Sequence, residues 1–403
     1  MKYIILVGDG MGDYPLPELN NKTPLEAAET HAMDEIASHG ELFLLQTVPE
    51  GYPPGSDVAN LSLIGYRPEL FYTGRSPLEA ASMNVDLGVD EVAFRCNLVT
   101  IERDSEGKVF MKDYSAGHIS TEEARVLIGA LAAELNDENI QFHPGVSYRH
   151  LMVRKGEVKN LETVPPHDHI GAEVSEFLRQ YENVAGLSAI IEKSAAILEH
   201  HEINQKRIEK GLNPANFIWL WGEGKAPSMP TLEDQYGVSG ALISAVDLLK
   251  GIGVYAGMKI VQVPGATGYL DTNYQGKARA ALEMLKENDL VLVHVEAPDE
   301  AAHQGSLKNK IQAIEDFDRL IVQPIFDGAA NYDFRMAISM DHYTPVALRT
   351  HVSLPVPIAI YDSTTKKCKT AHCYTEKDAM QYGRLLGNGN EFMNILLNRE
   401  HCG

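Results

Sequence analysis

Residues 290–303, LVLVHVEAPDEAAH, decide the fold. Leu290–Val295 is an apolar run of strand length, and a strand apolar on both faces belongs in a sheet covered on both sides. Asp299 follows it, and His303 stands four positions further on, the spacing that puts two side chains on one face of a helical turn. The pattern recurs along the chain. Tyr3–Val7 reads as a buried strand ending at Gly8-Asp9. A helix follows, with Thr23 as N-cap, Pro24 first, Glu26 closing a capping box and Gly40 just past its end. Lys259–Val263, Arg335–Met340 and Val356–Tyr361 read as strands. Tyr274–Glu287 and Lys308–Phe326 read as helices, with Pro324 in the last turn of the second. Alternating strands and helices predict an α/β domain with a parallel-rich sheet sandwiched by helices.

The middle of the chain has another character. Ala93–Ile101 and Val109–Tyr114 read as a hairpin about the turn-rich Asp104–Gly107. A helix capped by Ser120 and Glu123 comes next, then a strand at Val146–Val153 and a helical region from Ala172 to Gly211. This predicts an inserted α+β domain at 81–231, exiting through the Gly- and Pro-rich stretch after Gly222. The core domain is then 1–80 with 232–403.

In parallel sheets ligands gather beyond the C-terminal ends of the strands. Three predicted strands each deliver an aspartate there: Asp9, Asp299 and Asp341. Each has a companion elsewhere in the sequence. Ser56 follows Pro53-Pro54-Gly55 at a helix start, where backbone N–H groups favour a phosphate. His303, His342 and His351 complete a set of carboxylates, imidazoles and one hydroxyl. Such donors suit two divalent ions, Mn²⁺ or Zn²⁺, with Mg²⁺ or Co²⁺ also compatible. Two such ions beside a hydroxyl nucleophile are the equipment for phosphoryl transfer.

Composition narrows the rest. The chain has 403 residues, enough for two domains, and a net charge of −21. That charge repels nucleic acid and anionic membranes, so neither is expected as a partner. The N-terminus has too short an apolar run for a signal peptide, and no segment has the length of a membrane span. Cys96, Cys368, Cys373 and Cys402 form no CxxC pair, as expected for reduced thiols in a cytoplasm. Cys368, His372 and Cys373 could start a metal site but lack a fourth ligand. Gly265–Tyr269 lacks the spacing of a nucleotide P-loop. Nothing in the sequence specifies an oligomeric state.

The order VGDGMGD, GSDVANLSLIGY, TGRSPLEAAS, DEAAHQG, MDHYTP and THVSLPVP resembles the cofactor-independent phosphoglycerate mutases, closest to their archaeal-type branch. The likeness runs over essentially the whole chain. It implies an alkaline-phosphatase-like core and an inserted domain that closes over a small phosphorylated anion. By motif, Asp299, His303 and His351 would hold one ion, and Asp9, Ser56, Asp341 and His342 the other. Ser56 would carry the phosphoryl group between two hydroxyls of glycerate, interconverting 3- and 2-phosphoglycerate. Arginine suits the substrate's carboxylate and phosphate, which makes Arg75, Arg95 and Arg149 candidates. His118, Lys112, His150 and His167-Asp168 lie in family-like segments of the insert. One position departs from the pattern: Leu220-Trp221-Gly222-Glu223-Gly224 stands where the mutases are expected to read Leu-Arg-Gly-x-Gly. That segment resembles a homoserine kinase-like subgroup, so phosphoryl transfer to homoserine is the alternative, with a metal-dependent phosphatase behind it.

Overall fold

The computed structural model describes residues 1–159, 161–365 and 367–399; Cys402 lies outside them. Among these residues the strands are β1 (Lys2–Gly8), β2 (Glu41–Leu45), β3 (Glu91–Arg103), β4 (Val109–Asp113), β5 (Ile140–Val146), β6 (Arg149–Lys155) and β7 (Phe217–Gly224). They continue with β8 (Gly240–Ile243), β9 (Lys259–Val261), β10 (Leu290–Val295), β11 (Phe334–Ser339), β12 (Val356–Asp362) and β13 (Arg384–Leu386). The chain forms two compact units, 1–72 with 228–403, and 73–227. The first limit falls before 80/81 because helix Arg75–Ser82 docks on β3 and β7 of the second unit, and the second lies a few residues before 231/232.

The first unit holds an eight-stranded sheet in the order β13-β2-β12-β11-β1-β10-β8-β9. Ile4, Ile5, Leu6 and Val7 of β1 all have 0% exposure, so both faces of this central strand are covered. β1 runs parallel to β10, with Tyr3 beside Leu290, and parallel to β11, with Tyr3 beside Arg335. The carboxyl ends of β11, β1 and β10 therefore lie side by side. The sheet is mixed, because β12 runs antiparallel to β11 and β2. A parallel return needs a crossover, usually a helix. The stretch from 340 to 355 has no helix, so the chain turns straight back.

Two predicted helices break. The one from Thr23 becomes Pro24–Ala27 and His31–His39, with the capping box at Thr23 and Glu26 intact. Ala28 is extended at ψ 152°, and the new N-terminus is capped from outside by Asp318, which accepts from Ala32 N–H (3.2 Å) and Met33 N–H (2.7 Å). Lys308–Phe326 becomes Leu307–Phe317, a π turn at Asp318–Val322 and Gln323–Ala329. Pro324 has no N–H for an α-helical bond, and a wide turn before it absorbs that loss.

The second unit is built on a sheet ordered β4-β3-β6-β5, with β7 paired to β3. The predicted strand Val146–Val153 is β6 from Arg149 onward, while its first residues form a hairpin turn: Ser147 has φ 54°, which reverses the chain between β5 and β6. The helical region splits into Ser175–Gln180, Leu187–Glu199 and Glu202–Glu209. β7 occupies part of what reads as a linker, with Ile218, Trp219 and Leu220 at 0% exposure. No helix among the described residues is long and apolar enough to cross a membrane.

One buried ion pair braces the loops beyond the first unit's sheet. Lys310 Nζ, fully buried, donates to Gly12 O (2.9 Å), Asp13 Oδ2 (2.9 Å) and Thr344 O (2.8 Å). It ties the loop after β1 to the loop after β11. Lys310→Met leaves Asp13 charged and uncompensated, so urea unfolding should show a loss of about 3–5 kcal/mol.

Candidate metal centre

Asp9 directly follows β1, Asp341 lies two residues past β11, and Asp299 opens toward β10 from helix Ala297–His303. Because these strands are parallel neighbours, the three carboxylates meet. Gly10 makes room for them: its φ is 60°, and a Cβ there would stand 2.5 Å from Asp299 Oδ1. L side chains rarely adopt that backbone, and none fits that space without moving Asp299 or Thr344.

Around Asp299, His303 Nε2 lies 3.2 Å from Oδ2 and His351 Nε2 3.5 Å from Oδ1. The two imidazoles are aimed by their other nitrogens. His303 Nδ1 is 2.9 Å from Arg349 O and His351 Nδ1 is 3.3 Å from Pro54 O, contacts that place N–H there and free each Nε2 as a ligand. Around Asp9, His342 Nε2 is 3.5 Å from Oδ1, and also 3.5 Å from Asp341 Oδ2. Asp341 is fixed by N–H from Gly10 (3.1 Å) and His342 (2.9 Å) and by the amide of Asn60 (2.9 Å). Ser56 is the first residue of helix Ser56–Leu63, and its Oγ is 3.2 Å from His342 Nε2.

Three overlapping groups have ligand atoms within 4.8 Å of one another: Asp299 with His303 and His351, Asp9 with Asp299 and His342, and Asp9 with His294 and Asp341. All seven residues named from the sequence are thus gathered in the first unit. His294 is an eighth. It sits inside β10, at 0% exposure, with Nε2 3.1 Å from Asp9 Oδ2. Reading Leu290–Val295 as apolar hides it, although an imidazole within such a run is itself the signal.

The electrostatics fit divalent cations. Burial, then Asp341 and Asp299, push the Asp9 carboxyl well above its usual range. Against the upward effect of burial, contacts with His303 and His351 hold Asp299 well below it, and His342 with His294 holds Asp341 low. Without a cation, one crowded carboxylate keeps a proton. Asp9 Oδ1 and His294 Nε2 are also buried without a hydrogen-bond partner. The donor set, all oxygen and imidazole nitrogen, suits divalent ions generally.

Asp299 raises His303 to about 9. Metal-free, this imidazole is cationic at neutral pH, and its stabilising contribution is present below its unfolded value and lost as pH rises through about 9. An ion must displace that proton. Calorimetry at neutral pH, in buffers of different ionisation enthalpy, should show proton release on binding, and affinity at this site rising with pH up to about 9. Binding without proton release contradicts the ligand assignment of His303.

A family profile described as 2,3-bisphosphoglycerate-independent phosphoglycerate mutase matches residues 37–204. The protein of that name from Methanosarcina acetivorans is 56% identical over 364 residues, 90% of each chain. Its namesake from Methanosarcina barkeri is 52% identical over 400 residues, 98% of this chain and 99% of its own. The chain belongs to the 2,3-bisphosphoglycerate-independent phosphoglycerate mutase family. It is accordingly an enzyme of the isomerase class. Among solved structures, the PH0037 protein of Pyrococcus horikoshii superposes with a TM-score of 0.82 at 30% identity, covering 100% of this chain and 98% of its own. The cofactor-independent phosphoglycerate mutase of Thermoplasma acidophilum gives 0.67 at 26% identity and covers 99% of both chains.

In this mutase-family chain the candidate arginines lie in the second unit. Arg95 is buried between Glu79, 3.0 Å from its Nε, and the face of Trp221, 4.3 Å from its guanidinium carbon. Arg75 pairs with the same Glu79 at 3.2 Å. Arg149, exposed, stands one strand over on β6 with its guanidinium 4.8 Å from the Tyr148 ring. His118 meets the rings of Tyr114 and Tyr148, each at 6.2 Å. His167 packs on Trp221 at 5.8 Å and is held low by burial first, with the positive fields of Arg95, Arg75 and Arg149 also acting downward. Three other sequence candidates go elsewhere. Lys112 pairs with exposed Glu102, and His150 is 2% exposed with Nδ1 accepting from Gly145 N–H. Cys368, His372 and Cys373 appear in none of the metal-sized groups among the described residues, and His372 stacks on Tyr382 at 4.3 Å.

Proposed function

We propose that the chain interconverts 3-phosphoglycerate and 2-phosphoglycerate in the cytoplasm, by way of a phosphoserine at Ser56. The observation that carries this reading is the Ser56 hydroxyl, 3.2 Å from His342 Nε2 on the border of the carboxylate–imidazole cluster. Asp299, His303 and His351 hold one divalent ion; Asp9, Ser56, Asp341 and His342 hold the other. Bound there, Mn²⁺ or Zn²⁺ would supply charge for the phosphoryl oxygens and a lowered pKa for the serine hydroxyl. Ser56 Oγ bonds to phosphorus as one glycerate oxygen leaves, and the other glycerate hydroxyl then reclaims the group. Asn60 bridges Ser56 O and Asp341 Oδ2, both at 2.9 Å, and so keeps nucleophile and ligand in register.

Arg75, Arg95 and Arg149 take the substrate's carboxylate and phosphate, with His118 beside them. Arg149→Ala should raise KM for 3-phosphoglycerate about 10- to 100-fold, the worth of a charge-assisted hydrogen bond, with little change in stability. An unchanged KM removes Arg149 from the substrate site.

The reading is tested by following 3-phosphoglycerate with Mn²⁺ by phosphorus NMR, beside a tube holding homoserine and a phosphate donor. Appearance of 2-phosphoglycerate in the first and nothing in the second is expected. The reverse result favours the homoserine phosphotransferase that the Trp221 segment brings to mind. Against that alternative stand relatives at 50–56% identity, all named mutases, and the placement of Trp221 itself. Its indole N–H donates to Asn97 Oδ1 at 3.2 Å while its face supports Arg95, so the tryptophan serves the arginine cluster.

A further inference from the structure

We infer that His294 is a metal ligand, through Nε2, of the ion held by Asp9 and Asp341. This rests on the two-ion reading above and goes beyond its seven residues. Three strands converge to make the site: β10 carries His294 at the position paired with Val7 of β1, one step before Gly8 and Asp9, and Asp341 follows β11 on the other side of β1. Ligand atoms of Asp9, His294 and Asp341 lie within 4.8 Å of one another, all buried. His294 Nδ1 is 3.4 Å from Ser244 Oγ, a contact that orients the ring and leaves Nε2 as the nitrogen facing the two carboxylates. Nε2 is 3.1 Å from Asp9 Oδ2, yet the approach lacks hydrogen-bond direction and leaves Nε2 unpartnered, as is Asp9 Oδ1. Buried polar atoms are rarely left so. A cation shared by these donors satisfies them together.

The assignment carries a consequence for metal choice. With His342 and His294 both ligating, the ion has two imidazoles beside its carboxylates, a set that favours Mn²⁺, Co²⁺ or Zn²⁺ over Mg²⁺.

The test uses the full chain stripped of metal and titrated with Co²⁺, read by calorimetry and by visible absorption. Wild type should bind two ions. His294→Gln and His294→Ala should keep one near wild-type affinity, bind the other at least about ten-fold more weakly, and change that ion's absorption band. Discrimination against Mg²⁺ should fall in both. Two ions bound with wild-type affinity and spectrum overturn the assignment. So does weakened binding with an unaltered spectrum, the mark of a residue that only steadies Asp9. Should the alanine variant fail to fold, the glutamine variant, closer in size and polarity, decides. A wild type that fails to bind two ions defeats the two-ion reading itself, and that appears in the control arm alone.

Discussion

Ser56→Ala should lower turnover of 3-phosphoglycerate by about four orders of magnitude or more, as loss of a covalent nucleophile does, and weaken the ion shared with Asp9, Asp341 and His342, while melting temperature stays close to wild type. The side chain has no structural duty that alanine would abandon. Ser56 begins its helix, but the N-cap is Gly55, and the hydroxyl's contact is with His342. Its backbone carbonyl, which alanine keeps, is the atom held by Asn60. What alanine removes is the oxygen proposed to receive phosphorus. A coupled assay for 2-phosphoglycerate reads the effect directly. Activity within about ten-fold of wild type would eliminate the serine-linked route.

Asp299→Asn should cost about 10³-fold in activity and leave the protein with one ion, counted by elemental analysis, instead of two. Asp299 is shared by two of the three ligand groups, so its loss is felt on both sides of the centre. Its oxygens meet His303, His351 and the Thr344 hydroxyl, the last at 2.5 Å. Asparagine preserves the outline but exchanges an anionic oxygen for an N–H₂ that cannot ligate. In the metal-free protein the substitution also removes a pH-dependent term. The depressed Asp299 carboxyl contributes stability above its usual carboxylate value and loses it as pH falls through the depressed one. The variant should lack that acid limb. Two ions at wild-type affinity in Asp299→Asn would contradict the ligand assignment.

The centre was legible because its residues sit where chain grammar is strongest. Asp9, Asp299 and Asp341 each follow a short apolar run, and their meeting needs only that β11, β1 and β10 be parallel neighbours. The helix break at Ala28 was hidden because its cause lies far away in sequence. Asp318 caps the helix from His31 across nearly three hundred residues, and no local window around Ala28 shows it. β7 was concealed for a related reason. Gly222 and Gly224 look like punctuation, but Gly224 packs where a Cβ would stand 2.3 Å from Thr73 O, so the glycine serves close packing of β7 on the segment before helix Arg75–Ser82. His294 was missed through hydrophobic averaging: one imidazole among valines and leucines barely alters the run.

Trp221 shows how a departure from a family pattern reads differently in three dimensions. As sequence it is an arginine lost. In the fold it is a buried ring, 6% exposed, on which Arg95 lies, with Glu79 on the guanidinium's edge. Burial lowers Arg95 to about 10, still cationic at neutral pH. The positive charge is therefore kept in the second unit by Arg95 itself, supported from beneath.

The most direct measurement is anomalous X-ray scattering from crystals of the full chain loaded with Mn²⁺, collected across the manganese absorption edge. Two peaks are predicted. One should be bounded by Asp299, His303 and His351, the other by Asp9, Ser56, Asp341 and His342. A single peak, or peaks away from Ser56, would contradict the bimetallic centre on which the catalytic reading depends.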